Sequence, residues 1–223
     1  MSLEIKVGPP QIAVHSGLLR HGQRSRWADP RGGGQRLYFS IRGLISSWAL
    51  FAGGVPWTLL NGGALAACAA RVYCTNPAIH TAERTIPERT LGLIFGRHID
   101  GGMREDIDIT NYRPKPVSFN LELAIRSDFA DLFEVKNKSV TRRGSISTDW
   151  ANDKQALTKT YRHEDFSRAL RVTASAQHAP MSYANGRLSF RVQLKAGGLW
   201  HTSLLYDLAN GDGMGHGPLA GRR

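Results

Sequence analysis

Long apolar runs are missing from this chain of 223 residues. The longest, Ala64 to Ala70, spans seven residues and is mostly alanine. A membrane-spanning helix needs about 18 or more, so none is expected. Met1–Pro10 lacks a basic stretch followed by an apolar one, so a signal peptide is not expected and a cytoplasmic location is. Cysteine is scarce: Cys68 and Cys74 are the only two. Both fall on a segment that reads as one strand, Ala66 to Thr75, where six residues of rise set them about 20 Å apart. A disulfide needs Cα atoms within about 7 Å, so an internal bridge is excluded on that reading. Two thiols are also too few for a zinc cage. The eight histidines are scattered, with no His-x-His or His-Glu-x-x-His pair. No metal and no cofactor are expected.

Helical periodicity is lacking too. No ten-residue segment carries a convincing apolar stripe, whereas period-two alternation recurs. Leu91, Leu93, Phe95, Arg97 and Ile99 share one parity; so do Met103, Glu105, Ile107 and Ile109; so do Val117, Phe119, Leu121, Leu123 and Ile125. Asp100-Gly101-Gly102 and Asn111–Pro116 separate them as strand breakers. A hairpin is expected from Trp48–Ala52 through Gly53-Gly54 to Val55–Leu60. Further strands are expected at Leu157–His163 and Ala169–Ser175, and a pair at Leu188–Leu194 and Trp200–Tyr206. At 41% hydrophobic the chain can fill a core, and its length suits one large all-β domain. The fold class is therefore all-β, an antiparallel β-sandwich. Three regions show no period: the Arg/Gly-rich segment within residues 1–36, the Gly-rich tail at 209–223, and a polar connector, Lys136 to Gln155. The sandwich is expected over 37–208.

Acidic residues are outnumbered, 18 against 29 basic ones, for a formal charge of +11. Arg36, Tyr38, Phe39 and Arg42 put arginines among aromatics, so a stand-alone basic module for nucleic acid or another polyanion is one reading. Against it, much of the charge falls in the irregular regions, and nucleic acid is the less favoured partner. Asp106 and Asp108 share a wet strand face and read as solvated surface. Glu105 differs, because its parity turns it towards the core, where an unpaired carboxylate costs several kcal/mol. A three-residue loop at Asp100-Gly101-Gly102 pairs Ile99 with Met103, and so Arg97 with Glu105. A structural ion pair is expected there; an always-charged partner makes Glu105 a poor general acid. No Gly-x-Ser-x-Gly is present, neither cysteine sits beside a candidate His base, and Gly32-Gly33-Gly34 precedes a strand rather than a phosphate-binding helix. Catalytic residues are expected to be none. Trp48 and Trp57 flank a turn and could present aromatic faces to a sugar.

The middle of the chain resembles a known family. The run Leu44-Ile45-Ser46-Ser47-Trp48, then Pro56–Leu60, then Ala69–Pro77 is similar to the N-terminal domain of bacterial and archaeal glycogen debranching enzymes of the amylo-α-1,6-glucosidase type. So are the spacing from Arg97 through Gly102–Ile107 to Asn111-Tyr112 and Pro116-Val117, and above all Asp128-Phe129-Ala130-Asp131-Leu132-Phe133-Glu134-Val135. The resemblance implies a sandwich of the supersandwich type, packed against a helical-barrel domain that carries the catalytic carboxylates for α-1,6 branch points. It implies that this chain is a non-catalytic accessory piece, stopping before the barrel, with α-glucan as a candidate ligand. Trp48, Trp57, Asp128 and Asp131 are the candidate contacts to glucan or barrel.

The chain departs from the family at Arg36–Gly43, where an Arg-Asp-Thr-Arg-like segment is usual. A frameshift or a decayed upstream segment would explain both this and the aperiodic stretch before it. Genomic sequencing across residues 17–43 should then reveal a family-like peptide in an alternate frame, and its absence would remove the idea.

Overall fold

Period-two alternation produces strands throughout the residues that the computed structural model describes: 13–16, 19–22, 36–39, 42–82, 84–100, 102–129, 143–175 and 180–210. No helix occurs among these, and therefore none long and apolar enough to cross a membrane. Four short strands open the fold, β1 (Ala13–Ser16), β2 (Leu19–Gly22), β3 (Arg36–Phe39) and β4 (Arg42–Ile45), paired in that order. Next come β5 (Ser47–Ala52), β6 (Val55–Pro56), β7 (Thr58–Ala66), β8 (Ala69–Thr75), β9 (Ile79–His80) and β10 (Thr85–Ile86). The central strands are β11 (Leu91–Ile99), β12 (Met103–Asn111) and β13 (Val117–Arg126). The last six are β14 (Ser145–Ala151), β15 (Ala156–His163), β16 (Phe166–Ala174), β17 (Met181–Ala184), β18 (Arg187–Leu194) and β19 (Leu199–Asn210).

Two large antiparallel sheets face each other. One has eight strands in the order β14-β15-β16-β19-β12-β11-β8-β7, the other five in the order β17-β18-β13-β5-β6. The fold is an all-β sandwich. Its core lies between the sheets, where the alternating residues meet: Leu93, Phe95, Ile107, Ile109, Trp200 and Leu204 from the large sheet, Trp48, Leu50, Leu121, Leu123 and Phe190 from the small one. Aromatic contacts cross the gap, Trp48 to Phe95 at 4.6 Å and Phe190 to Trp200 at 5.9 Å between ring centroids.

Several connections differ from the local reading. The hairpin after Gly53-Gly54 divides: β6 returns to β5, but β7 joins β8 in the opposite sheet. Trp57, buried at 4% exposure, marks the crossing, its amide still bonded to Leu50 O. Strands β18 and β19 are neighbours in sequence yet belong to different sheets, so their turn joins the two layers instead of closing a hairpin. The expected strand at Ala66–Thr75 is bent at Ala67-Cys68, a turn between β7 and β8, and both thiols are free. Burial pushes the Cys74 thiol up to about 12, so it is inert. Strand β14 occupies part of the expected connector Lys136–Gln155, because its partner β15 supplies the pairing that its own polar sequence does not advertise. Strands β1 and β2 fall within 1–36, β3 begins at Arg36, and β19 runs on to Asn210; the rest of 1–35 and residues 211–223 lie outside the described residues.

Two buried asparagines tie down the connections at the ends of the central strands. Asn76 is 1% exposed, and its side chain uses its full bonding capacity. Oδ1 accepts from the amides of Thr90 (2.9 Å) and Leu91 (2.7 Å), while Nδ2 donates to the carbonyls of Pro77 (2.8 Å) and Pro87 (2.7 Å). Asn111 does the same for the loops after β12 and β18, donating to Lys115 O and Lys195 O and accepting from the Arg113 amide. Asn76→Ala removes four hydrogen bonds from a buried site, those with the Thr90 and Leu91 amides and the Pro77 and Pro87 carbonyls, so urea unfolding should show a loss of about 2–4 kcal/mol. Asn76→Asp should fall short of rescue, since a carboxylate cannot donate to Pro77 and Pro87.

Candidate functional site

Two clusters of polar side chains arise from opposite parities of the same strands. The inner one centres on Glu105, which is 0% exposed. The register pairs Ile99 with Met103 and Arg97 with Glu105 across β11 and β12. Glu105 Oε1 accepts from Arg97 Nε at 2.8 Å and from Arg97 Nη2. Its Oε2 accepts from Trp48 Nε1 at 3.1 Å, across the sandwich, and from the Tyr206 hydroxyl on β19. The Trp48 N–H is shared with the Tyr206 oxygen at 3.2 Å. The Arg97 guanidinium lies 5.0 Å from the Phe95 ring centre and 5.4 Å from that of Trp48. Burial, reinforced by the charge of Glu105 and its hydrogen bond, pushes the Tyr206 hydroxyl well above the ordinary tyrosine range.

The outer cluster stands on the other face of the large sheet. Arg104, Asp106 and Asp108 alternate with the buried residues of β12, and His201 and Ser203 do so on β19. The register sets Asp108 opposite His201 and Asp106 opposite Ser203. Arg104 Nη2 reaches Asp106 Oδ1 at 2.9 Å and Ser203 Oγ at 3.1 Å. His201 places Nδ1 2.7 Å from Asp108 Oδ1 and Nε2 3.2 Å from Ser203 Oγ. Burial raises the Asp106 carboxyl, but hydrogen bonds from Arg104 and Ser203 and the charges of Arg104 and His201 outweigh it and hold it below its usual range.

The connectivity Asp108–His201–Ser203 has the outline of a nucleophilic triad, but its proton runs the wrong way. The Ser203 hydroxyl donates to Asp106 Oδ1, and its oxygen already accepts from Arg104. The serine is 3% exposed and level with the sheet. A nucleophile needs its proton directed at the base and its oxygen open to substrate. What the arrangement can do is hold a fixed pattern of charge on a flat face.

That face has an apolar half. The same row that carries Asp108 and His201 continues through Ile94 to Tyr73 on β11 and β8. Both are exposed, at 37% and 40%, as are Leu199 (65%) and Tyr112 (72%). Tyr112 lies over Gly92, where a Cβ would come within 2.7 Å of its ring. Among the described residues, no group of three or more His, Cys, Asp and Glu side chains is placed to hold a metal ion.

The other sequence candidates fall elsewhere. Trp48 and Trp57 are 2% and 4% exposed and point into the core, so neither offers a ring face to a sugar. The apolar contact area of a tryptophan is worth more inside, where Trp57 meets Phe119 at 6.3 Å even though its Nε1 finds no acceptor. Asp128 is half-buried just past β13, and Asp131 lies outside the described residues. Its neighbour Phe129 is the anchor of that stretch, stacked on Tyr161 at 5.6 Å. His201 and Ser203 escape a local reading; their shared parity on a strand beside two acids is the signal that could have found them.

Removing one partner from the inner cluster strands the others. Glu105→Gln should cost about 3–5 kcal/mol in chemical denaturation, since it removes the carboxylate that balances the buried Arg97 charge. Tyr206→Phe should cost about 1–3 kcal/mol near neutral pH. An unfolded tyrosine ionises near pH 10 while Tyr206 resists, so ionisation favours the unfolded chain as pH rises past about 10. The gap between wild type and Tyr206→Phe should therefore narrow in alkali.

Residues 21–205 match a family described as the N-terminal domain of some glycogen debranching enzymes. No curated protein matches the chain in sequence. In structure, the Slr1438 protein from Synechocystis sp. PCC 6803 aligns over 94% of this chain and 99% of its own, with 9% identity and a TM-score of 0.54. A heparinase III gene product with methylated lysines aligns over 93% of this chain but 35% of its own, with 8% identity and a TM-score of 0.53. At such identities these likenesses show the sandwich fold alone. With more than four-fifths of its length inside the matched region, the chain belongs to the family of N-terminal domains of glycogen debranching enzymes.

Proposed function

We propose that this chain is the non-catalytic, cytoplasmic β-sandwich of an amylo-α-1,6-glucosidase-like debranching enzyme. It braces a helical-barrel catalytic domain and shares its α-glucan substrate. The observation that carries the reading is the outer face of the large sheet. Exposed Tyr73, Ile94, Leu199 and Tyr112 adjoin the ordered charges of Arg104, Asp106, Asp108 and His201. An apolar patch rimmed by polar groups is the usual anatomy of a docking surface. The carboxylates support it as well: Glu105 is enclosed by four donors, and Asp106 and Asp108 are bound to Arg104, Ser203 and His201. Such acids position structure; a glycosidase needs one held protonated and one facing substrate.

The alternative is the stand-alone basic module for nucleic acid or another polyanion, suggested by the charge of +11. Mixing the chain with the helical-barrel domain from the same genome should give a complex on gel filtration that releases glucose from a branched limit dextrin. The chain alone should release none. Ile94→Glu, on an exposed site, should weaken the complex at least tenfold without lowering the melting temperature. Failure to associate, together with DNA retention that falls steeply with salt, would favour the polyanion reading.

A further inference from the structure

The opposite side of the sandwich carries a cavity of about 440 Å³, within the range of small-ligand sites. Its floor is the outer face of the small sheet, where β13 contributes Ser118, Asn120 and Glu122 and β18 contributes Arg191 and Gln193. Ser118 pairs with Gln193 and Asn120 with Arg191 across the two strands, so four polar side chains form two adjacent rows. Its wall is the turn between β9 and β10, with His80, Thr81, Ala82 and Arg84. That wall is already built. The Thr81 hydroxyl donates to Arg84 O at 2.7 Å and accepts from the Arg84 amide at 3.1 Å, and Arg84 Nη1 donates to Pro116 O at 3.2 Å. His80 Nδ1 lies 3.1 Å from Thr85 Oγ1.

The floor, by contrast, is unengaged. Among the described residues, the side chains of Ser118, Asn120, Arg191 and Gln193 have no hydrogen-bond partner in the protein. Glu122 is the exception, held by Arg187, which in turn lies 4.6 Å from the Phe51 ring centre. Hydroxyl and amide groups both donate and accept, Arg191 only donates and the Glu122 carboxylate only accepts. A phosphate or sulfate offers acceptors alone and would meet the Glu122 carboxylate and the two amide oxygens unfavourably. A polyol offers both roles at every hydroxyl. We propose that this cavity binds a neutral saccharide, the end of an α-glucan chain, on the face of the sandwich turned away from Ile94 and the charged row.

The choice of α-glucan rests on the family reading, whereas the polyol chemistry rests on the cavity. With the barrel on one face and this cavity on the other, the site would hold polymer without entering the catalytic cleft. Calorimetric titration of the chain with maltotriose should show saturable binding with a Kd of about a millimolar or tighter. Asn120→Ala and Arg191→Ala should each weaken it at least about fivefold, with melting temperatures unchanged because both side chains are exposed. Inorganic phosphate should not compete. No saturable maltotriose binding, binding indifferent to both substitutions, or displacement by phosphate would each overturn the proposal. If maltotriose fails while the barrel still associates, only the saccharide site falls. If the barrel fails while maltotriose binds through Asn120 and Arg191, the saccharide site stands and the bracing role falls.

Discussion

A carboxylate that solvent does not reach dictates much of this sandwich. Glu105 can stay charged only if its two oxygens find donors, since an isolated ion in the interior costs several kcal/mol. The donors come from three strands in two sheets: Arg97 on β11, Tyr206 on β19 and Trp48 on β5. The indole is the only one of the three that crosses the core, so the bond from Trp48 fixes how the sheets sit on each other. Apolar packing would tolerate small slides between layers. A directional, desolvated hydrogen bond does not. The pair also has a face of aromatic rings against it, Phe95 and Trp48, which packs on the planar guanidinium.

The two outer faces follow from the same alternation but differ in character. On the large sheet the polar residues of β12 and β19 are bonded to one another, Arg104 with Asp106 and Ser203, Asp108 with His201. Beside them the exposed residues Ile94, Tyr73 and Leu199 form an apolar area. On the small sheet the reverse holds. Glu122 and Arg187 pair with each other, while the amides of Asn120 and Gln193 and the guanidinium of Arg191 stand over the cavity. Surplus apolar area suits a large, dry partner, and surplus hydrogen-bonding capacity suits a wet ligand. One fold thus offers two kinds of surface.

Much of this is legible in the chain, and the limit is locality. Alternation marks Leu91–Ile99, Met103–Asn111 and Val117–Arg126 because each strand writes its own burial into every second residue. The Arg97–Glu105 register is equally local, since a short loop between the strands leaves little choice of pairing. The outer charge pattern is not: Asp106 and Ser203 are 97 positions apart, and parity alone names no neighbour. The same limit explains the aromatic residues. Trp48 and Trp57 flank a turn in sequence, but whether a ring near a turn is bare or covered depends on the opposite sheet, which buries both. The cavity under the turn between β9 and β10 needs four separate stretches of chain, so no window of sequence contains it.

Register connects the core to the surface. Side chains alternate, so a slip of β12 by one residue would turn Glu105 outward and Asp106 inward. Apolar residues alone resist such a slip in proportion to the area they lose. Glu105 adds a sharper penalty, because a slipped strand would leave Arg97 buried without its acid and take from Trp48 one of its two acceptors. The alternative registers are thereby removed from the ensemble, and with them every other outer-face pairing. Only in the surviving register does Asp108 stand across from His201 and Asp106 across from Ser203, with Ile94 and Tyr73 continuing the row. The internal ion pair need not contribute net stability to matter. Its effect is to make the outer face of the large sheet a surface with one fixed pattern of charge and apolar area, which is what a docking partner requires.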